Sequence, residues 1–269
     1  AISGGVDSSL AAALLKQAGY EVSGIHMQLR SDYNQERNIS DLERTCQILD
    51  IPLYKLNFET ELNNLVIDYF CHEYSLGRTP NPCVACNRHI KFGLLLEWVR
   101  RMGAEYLATG HYGRIDHSPD GYRLLKAVDL VKDQSYFLYT LGQEQLQHVL
   151  LPLGYLHKAK VRELAAKLGL PTSAKRDSQD VCFIPDNDYR SFLARRIPLK
   201  SGDIVDSEGR ILGKHNGLAQ YTVGQRHGLG LASNQRLYVI KLDAEANRLV
   251  VGTQDQLLSD MLFASKLSW

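Results

Sequence analysis

Three cysteines are placed where thiol chemistry can occur. Cys83 and Cys86 lie three residues apart in a proline-rich stretch, and Cys182 follows the basic pair Lys175-Arg176. The three-residue spacing is shared by redox and metal motifs, and nearby cations favour the nucleophilic thiolate. A structural zinc site needs a second pair of ligands, and the sequence contains no second Cys-x-x-Cys. Because of the neighbouring basic pair, Cys182 is a candidate nucleophile. The alternative is that Cys182 is a small buried side chain with a structural role.

A glycine-containing stretch near residue 1 offers phosphate binding. Ser3-Gly4-Gly5-Val6-Asp7-Ser8-Ser9 runs directly into an apolar, helix-forming segment. Glycine lets a ligand approach the main chain closely, and the first N–H groups of a helix bind anions. A Walker A loop would carry a lysine, which is missing here, so we exclude a P-loop NTPase. The stretch resembles instead the PP loop of the ATP pyrophosphatases, which cleave ATP between the α and β phosphates.

Two further polar stretches are candidates for ligand contact. Gly110, in Thr109-Gly110-His111, would allow close approach of a nucleotide, and His111 is either a donor to phosphate or base or a structural residue. Lys132-Asp133-Gln134 either caps a helix or contacts RNA, and the residues alone leave both interpretations open. Cys46 and Cys71 fall within amphipathic helices and are predicted to be structural.

Alternating helices and strands must position these residues. The pattern predicts helices over 7–18, 40–49, 59–75 and 87–102, and strands over 21–29, 52–57 and 104–109. This alternation predicts a parallel sheet covered on both faces, with ligands beyond the carboxyl ends of its strands. The loop, Met27 and Thr109-Gly110-His111 should then surround one crevice. Residues 77–87, with two prolines, are predicted to form a stiff loop rather than a helix. The helix after it should turn Ile90, Leu94 and Trp98 to one face.

The rest of the chain changes character twice. Residues 142–195 are helical and basic in pattern, and after Pro198 short apolar runs alternate with turn signals. We expect an α/β domain over 1–197 with a basic helical extension from about 142, a small β domain over 198–258, and the start of a truncated β-barrel over 259–269. Because only Ala1 and Ile2 precede the loop, a first strand is also expected to be missing.

Composition and charge narrow the class of protein. The 269 residues are 44% hydrophobic and 23% charged, as in ordinary globular proteins. No apolar run approaches the ~18 residues that span a bilayer, and no signal-peptide pattern is present. Residues 156–200 carry ten Lys/Arg against five acids, which indicates a phosphate-backbone footprint or a solvated charged face. Five cysteines, an odd count, indicate reduced thiols. We expect a cytoplasmic monomer.

Taken together, the motifs resemble those of the tRNA-specific 2-thiouridylases, which replace the C2 oxygen of the wobble uridine with sulfur. The matching motifs, in order, are SGGVDSS, TPNPC–CN–IKF, ATGHY, KDQSYFL, PLG–K–VR, DS–VCFI, GKH and YTVGQR. They cover nearly the whole chain. The resemblance implies a PP-loop α/β domain, a small β domain and a C-terminal β-barrel, of which the barrel is expected to be missing here.

The resemblance also implies roles for individual residues. It assigns nucleotide binding to Ala1, Ile2, Ser3, Gly4, Gly5, Val6, Asp7, Ser8, Met27 and Gly110. It assigns contact with the target base to Asn81, Pro82 and Cys83. Contacts with the rest of the tRNA are assigned to His111, Lys132, Asp133 and Gln134. Cys182 would carry a persulfide, and attack by Cys86 would release sulfide and leave a Cys86–Cys182 disulfide. ATP with Mg²⁺, tRNA and an upstream persulfide donor protein are the implied cofactor and partners.

Three alternatives accompany this interpretation. Family members carry Asp or Cys at position 83, so a general acid–base role does not transfer to Cys83. Cys83, Cys86 and Cys182 would instead hold a [4Fe–4S] cluster with one open iron, although three thiolates are one fewer than usual. The chain would otherwise be another PP-loop adenylating enzyme, such as an amidotransferase-type synthetase, which leaves the cysteines unexplained. The third alternative is a non-catalytic, truncated tRNA-binding fragment.

Overall fold

The computed structural model describes residues 1–29, 35–175, 181–184, 188–265 and 267–268, with side chains of the second helix from residue 39 onward. The chain divides into two compact units. The first unit comprises Ala1–Leu65, Cys83–Gln179 and Ser268–Trp269, and the second comprises Val66–Pro82 and Asp180–Leu267. Among the described residues, no helix has both the length and the apolar character needed to cross a membrane.

The described elements alternate along the chain. The α-helices are α1 Val6–Gln17, α2 Gln35–Leu49, α3 Glu59–Leu62, α4 Asp68–Ser75, α5 Pro82–Cys86, α6 Leu96–Arg101, α7 Gln143–Leu146, α8 Lys158–Lys167 and α9 Tyr189–Ala194. The strands are β1 Gly24–Gln28, β2 Leu53–Asn57, β3 Leu107–Ala108, β4 Arg114–Ser118, β5 Gly121–Leu125, β6 Val149–Leu150, β7 Gly202–Val205, β8 Ile211–His215, β9 Tyr238–Asp243 and β10 Arg248–Gly252. Two π-helical segments, Asn63–Ile67 and Asn87–Leu95, follow α3 and α5 directly.

The first unit contains the predicted parallel sheet. β1 pairs with β2 in parallel, and β3 pairs with β6 in parallel. Residues 1–2 lie between the two pairs, because Ala1 N–H donates to Ala108 O and Ile2 N–H donates to Ile25 O at 2.7 Å. The glycine-containing loop therefore leaves the sheet beside the carboxyl ends of β1 and β3, the edge at which parallel sheets bind ligands.

Helices α1 and α8 pack together against this sheet. Val6 and Leu10 of α1 are spaced one turn apart and are buried, and they share a hydrophobic cluster with Val161 and Ala165 of α8. Apolar side chains at three- and four-residue spacing line one face of a helix. This packing holds the first turn of α8 beside the first turn of α1.

The proline-rich stretch is non-helical up to Asn81, as predicted, but its second half was predicted wrongly. α5 begins at Pro82, and the chain remains helical through Asn87–Leu95 and α6. Proline at the first position of a helix forfeits no hydrogen bond, because that N–H has no partner inside the helix. Residues 82–86 are therefore helical, and Cys83 and Cys86 lie on one helical turn.

The buried face of the following helix was also predicted wrongly in part. Ile90 is buried as expected, whereas Leu94 and Trp98 are half-buried, and Leu95 and Val99 occupy the core instead. A π-helical turn contains an extra residue, so the buried position after Ile90 moves from i+4 to i+5.

Two other features differ from the sequence prediction. β4 and β5 form an antiparallel hairpin with Ser118 opposite Gly121, in a region for which no strands were predicted. β6 lies within residues 142–195, where the pattern indicated helices. This strand is only two residues long, too short for a period-2 pattern to show in the sequence.

The second unit is built on a four-stranded sheet in the order β8–β7–β10–β9. β7 and β10 are parallel, whereas each pairs with its outer neighbour antiparallel. Its core includes Ile204, Val239, Leu249 and Val251. Within the same unit, aromatic side chains join α4 to α9, since the rings of Tyr74 and Tyr189 stack at 5.7 Å.

Candidate active site

The glycine-containing loop ends where α1 begins. Gly4 has a φ of 76°, a left-handed conformation that favours glycine. Ser9 N–H donates to Gly5 O at 3.2 Å, and this is the first i→i−4 hydrogen bond of the helix. The N–H groups of residues 5–8 precede it and have no acceptor inside α1. The loop therefore presents a series of amides at the positive end of a helix, which suits a phosphate group.

The serine hydroxyls of the loop make hydrogen bonds inside it. Ser3 N–H donates to Ser8 Oγ at 3.0 Å, and the hydroxyls of Ser8 and Ser9 donate to Gly5 O at 3.2 and 2.9 Å. Ser8 and Ser9 are buried. These bonds hold the loop in shape, and the amides rather than the buried hydroxyls are positioned for an anion.

Gly110 lies directly against the start of α1. A Cβ at this position would be 2.7 Å from Ser8 N and 2.8 Å from the carbonyl carbon of Asp7. Real Cβ atoms essentially never come this close to backbone, so only glycine fits here. The sequence prediction named Gly110 for close approach to a nucleotide. The structure shows that Gly110 closely approaches Asp7 and Ser8. These two residues belong to the loop to which the sequence prediction assigned the phosphates of that nucleotide.

Asp7 is held by two side chains from distant parts of the chain. Lys158 Nζ lies 2.7 Å from both carboxylate oxygens of Asp7, and Tyr112 OH donates to Oδ1 at 2.8 Å. Lys158 is only 12% exposed and Tyr112 2% exposed. Asp7 is thus directed away from ordinary helix capping and into a charged, hydrogen-bonded cluster.

A second lysine contacts the other end of the loop. Lys175 Nζ donates to Gly4 O at 3.1 Å and to Asp41 Oδ2 at 3.2 Å. Arg162 on α8 fixes the segment that carries this lysine, because its Nη1 donates to Ser173 O at 3.0 Å and to Lys175 O at 2.8 Å. α8 therefore supplies Lys158 directly and positions Lys175.

The thiols of α5 differ in exposure. Cys83 is exposed, whereas Cys86 is buried. Burial raises the pKa of Cys86, and the Lys91 ammonium opposes that shift. All five cysteines lie among the described residues, and each is a thiol rather than part of a disulfide. Asn81 is half-buried and Pro82 buried, at the start of the same helix.

Cys182 belongs to the second unit and is exposed. Its neighbours Phe183 and Ile184 are buried, and the ring of Phe183 meets that of Phe70 edge-on at 5.5 Å. An exposed thiol is thus attached to an anchored apolar pair. Arg176 and residues 177–180, which belong to the predicted motif around Cys182, lie outside the described residues.

His111 is a neutral hydrogen-bonding group in this structure. Desolvation lowers its pKa well below the ordinary value, and the Lys91 ammonium adds to the effect. Its Nδ1 lies 2.8 Å from Thr109 Oγ1. Met27, the other residue predicted beside the nucleotide, lies in β1 opposite Leu56 of β2, one residue before the carboxyl end of its strand, and is half-buried.

The Lys132-Asp133-Gln134 segment is tied into the first unit. Asp133 accepts from Ala127 N–H and from Ser135 Oγ, both at 2.7 Å. Gln134 Oε1 accepts from Tyr112 N–H at 3.0 Å, and Gln134 N–H donates to Tyr112 O at 2.7 Å. Lys132 N–H donates to Asp129. These contacts shape the turn, and Tyr112 joins it to Asp7 of the loop.

Comparison with known proteins identifies the family. Residues 1–186 match the family model described as the tRNA methyl transferase HUP domain, and residues 190–253 match the tRNA methyl transferase PRC-barrel domain. The tRNA-specific 2-thiouridylase MnmA of Geotalea uraniireducens is 52% identical over 100% of this chain and 76% of its own length. Proteins of the same name from Geobacter metallireducens and Dehalococcoides mccartyi are 49% and 48% identical, each over 100% of this chain and 77% of theirs.

The chain belongs to the tRNA-specific 2-thiouridylase family. The resemblance stated from its motifs is thereby confirmed, as are the parallel PP-loop domain and the smaller β domain that the 2-thiouridylase resemblance implied. Of the residues predicted from the sequence, the structure brings the loop, Gly110 and His111 to one edge of the sheet.

Lys158 and Tyr112 were missed as site residues in this 2-thiouridylase. Both occur in motifs that the sequence analysis quoted, PLG–K–VR and ATGHY. Lys158 is 151 residues from Asp7 and Tyr112 is 105. The motifs marked these residues, but no local pattern links them to the loop.

Proposed function

We propose that this chain is a tRNA-uridine 2-sulfurtransferase, which uses ATP to replace the C2 oxygen of the wobble uridine with sulfur and yields 2-thiouridine, AMP and pyrophosphate. The names of its relatives support this activity. The observation that carries it is the pairing, within the first unit, of a phosphate-binding helix start with the Cys86 thiol on α5.

Adenylation addresses the first chemical problem. The C2 oxygen of uracil is a poor leaving group. Its attack on the α-phosphorus of ATP expels pyrophosphate and forms an adenylate, from which AMP is a good leaving group. The amides of residues 5–8 would bind the phosphates, and Asp7 is the one carboxylate within residues 3–9. Mg²⁺ usually takes its ligands from phosphates, water and one or two carboxylates. Asp7 alone in the loop therefore fits an ion that arrives with ATP.

Sulfur delivery follows from the two cysteines. Cys182 would carry a terminal sulfur as a persulfide received from an upstream donor protein. The Cys86 thiolate attacks the inner sulfur of that persulfide, hydrosulfide leaves, and a Cys86–Cys182 disulfide forms. Hydrosulfide then attacks C2, AMP departs with the original oxygen, and a thiol reductant restores the two cysteines.

The iron–sulfur alternative is one ligand short of the usual set. A [4Fe–4S] cluster usually has four thiolate ligands, whereas Cys83, Cys86 and Cys182 supply three and are divided between the two units. Cys83 is exposed and Cys86 buried on the same helical turn. We therefore assign sulfur transfer to the persulfide and derive no step through a cluster.

The proposed substrate is tRNA with its wobble base unstacked, as base-modifying enzymes require. Asn81, Pro82 and Cys83 would contact the base. His111 and the 132–134 turn would contact the surrounding RNA. Because Asp133 and Gln134 make hydrogen bonds inside the first unit, they would contribute mainly through the shape of the turn. ATP, tRNA and a thiol reductant meet in the cytoplasm, where we place a monomeric enzyme.

Product analysis tests the proposal. The protein is incubated with ATP, unmodified tRNA and a persulfide donor, and digested nucleosides are identified by mass spectrometry. We expect 2-thiouridine with the wild type, none with Cys182→Ser, and normal yield with Cys71→Ser, a buried cysteine of the second unit. AMP formation without tRNA would indicate a small-molecule synthetase. tRNA binding without AMP formation would indicate a binding fragment, and a methylated base would support the wording of the family model.

A further inference from the structure

The loop's positive charge is supplied by a residue outside it. Lys158 Nζ lies 2.7 Å from both Oδ1 and Oδ2 of Asp7, within the first turn of α1. The loop itself contains no lysine. The Lys158 side chain is 12% exposed, so it is removed from most of the solvent, and its partner Asp7 lies among the residues whose amides suit phosphate.

The fold determines the position of this ammonium from several sides. α8 packs on α1 through Val161, Ala165 and Leu10. The backbone N–H of Lys158 donates to Asp129 Oδ2 at 2.9 Å and so fixes the first residue of the helix. Tyr112 OH donates to the carboxylate of Asp7 from another direction, and Lys158 Nζ lies 5.8 Å from the centre of the Tyr112 ring.

A stability role alone does not account for this pair. The Lys158 side chain is 12% exposed and the Asp7 side chain 31%. A pair whose charges lose part of their hydration in this way is often no more stabilising than apolar residues of similar volume. Charges retained in such a place are often used in function. The nearest function here is the phosphate-binding start of α1.

We propose that Lys158 supplies the ATP phosphates with the positive charge that a Walker loop carries within its own sequence, and that Asp7 holds the ammonium until nucleotide binds. This inference rests on the proposed function for the identity of the ligand. Lysine binds phosphate as a point charge on a flexible stem. The ammonium therefore turns from the carboxylate of Asp7 to the more highly charged phosphates.

Ligand binding to Lys158→Met tests the proposal, because methionine keeps the length of the stem and removes the charge. Dissociation constants are measured for ATP and for adenosine, which lacks phosphates. We expect the Kd for ATP to rise roughly 10- to 100-fold, the loss of one charged hydrogen bond, and the Kd for adenosine to stay the same. Lys160→Met is the matched control, since Lys160 pairs with Glu163 at 3.0 Å on the surface of the same helix. It should change neither constant.

A second comparison covers the case in which Lys158→Met does not fold with Asp7 uncompensated. Asp7→Asn/Lys158→Met, which removes both charges of the pair, is compared with Asp7→Asn, which keeps the ammonium without the carboxylate of Asp7. We expect weaker ATP binding in the double variant. Equal ATP binding in the two proteins, or equal losses of ATP and adenosine, would show that Lys158 only neutralises Asp7 and would overturn the proposal.

The thiolation assay separates this inference from the proposed function. Wild-type thiolation combined with ATP binding that is indifferent to Lys158 overturns the inference and leaves the function. ATP binding that depends on Lys158 in a protein that never produces 2-thiouridine supports the inference and overturns the function.

Discussion

The reactivity of the Cys86 thiol depends on two opposing features of its surroundings. Burial raises its pKa, and the Lys91 ammonium lowers it by a smaller amount. The thiol is consequently protonated at neutral pH, and the thiolate, the attacking form, becomes more abundant as the pH rises toward the raised pKa. The sulfide-releasing step should therefore accelerate with increasing pH.

We predict that Lys91→Met shifts this pH dependence to higher pH. Without the ammonium, the thiolate loses the charge that favours it, so the pKa of Cys86 rises further. The measurement is the rate of alkylation of Cys86 against pH, resolved by mass spectrometry of the peptide. Lys55→Met is the control, because Lys55 pairs with Glu43 at 2.6 Å on the surface. An unchanged profile in Lys91→Met would contradict the proposed electrostatic control.

At the residue scale, the sequence predicted the loop but not its partners. Gly4, Gly5 and Asp7 lie within four consecutive residues, so their residue types alone indicate an anion-binding helix start. The contact between Asp7 and Lys158 joins residues 151 apart. It arises only after α8 packs on α1, which no local pattern expresses.

At the scale of elements, Asn87 links the cysteine helix to the turn proposed to face tRNA. Its Nδ2 donates to Phe137 O at 2.9 Å, in the 3₁₀ turn Ser135–Leu138 that follows Gln134. Asn87 is 1% exposed, and a carbonyl left without this donor would pay a desolvation cost of about 1–3 kcal/mol. The bond therefore keeps the turn in register with α5 and the π-helical segment.

We predict that Asn87→Ala lowers thiolation more than it lowers ATP binding. The turn would loosen relative to Cys86, whereas the loop and Lys158 would stay in place. kcat and KM for tRNA and the Kd for ATP are measured together. Asn63→Ala serves as the control, because Asn63 makes a similar bond to Glu59 O at 2.8 Å within its own helical turn. Equal losses in ATP binding and thiolation would instead point to general unfolding.

Helices were predicted correctly where the residues that determine them are close together in the sequence. α1 was predicted well because loop, cap position and apolar spacing are contiguous. The buried face of the helix after Cys86 was not, because a π-helical insertion moves the core position from Leu94 to Leu95. The start of α5 was missed because proline is disfavoured in the interior of a helix but is accepted at its first position.

At the scale of the whole molecule, the proposed reaction requires both units. Cys86 belongs to the first unit and Cys182 to the second. A disulfide needs their Cα atoms within about 4.4–6.8 Å of each other. The persulfide mechanism therefore requires this approach in at least one state of the enzyme.

We predict that a single turnover without reductant traps a Cys86–Cys182 disulfide. The protein is charged with persulfide, mixed with ATP and tRNA, quenched with alkylating agent and mapped by mass spectrometry. Cys46 and Cys71, which are buried and whose pKa values are raised by burial, should be recovered as thiols and serve as internal controls. A Cys83–Cys86 disulfide in place of the predicted one would contradict the assigned roles.

In the proposed mechanism, the base is adenylated at the loop before sulfur arrives. The most direct test follows the C2 oxygen of the wobble uridine, labelled with heavy oxygen, through one round of reaction. Because that oxygen attacks the α-phosphorus and leaves with it, the account predicts that the label appears in AMP and that 2-thiouridine is unlabelled. Label in pyrophosphate or in water, with AMP unlabelled, would contradict it.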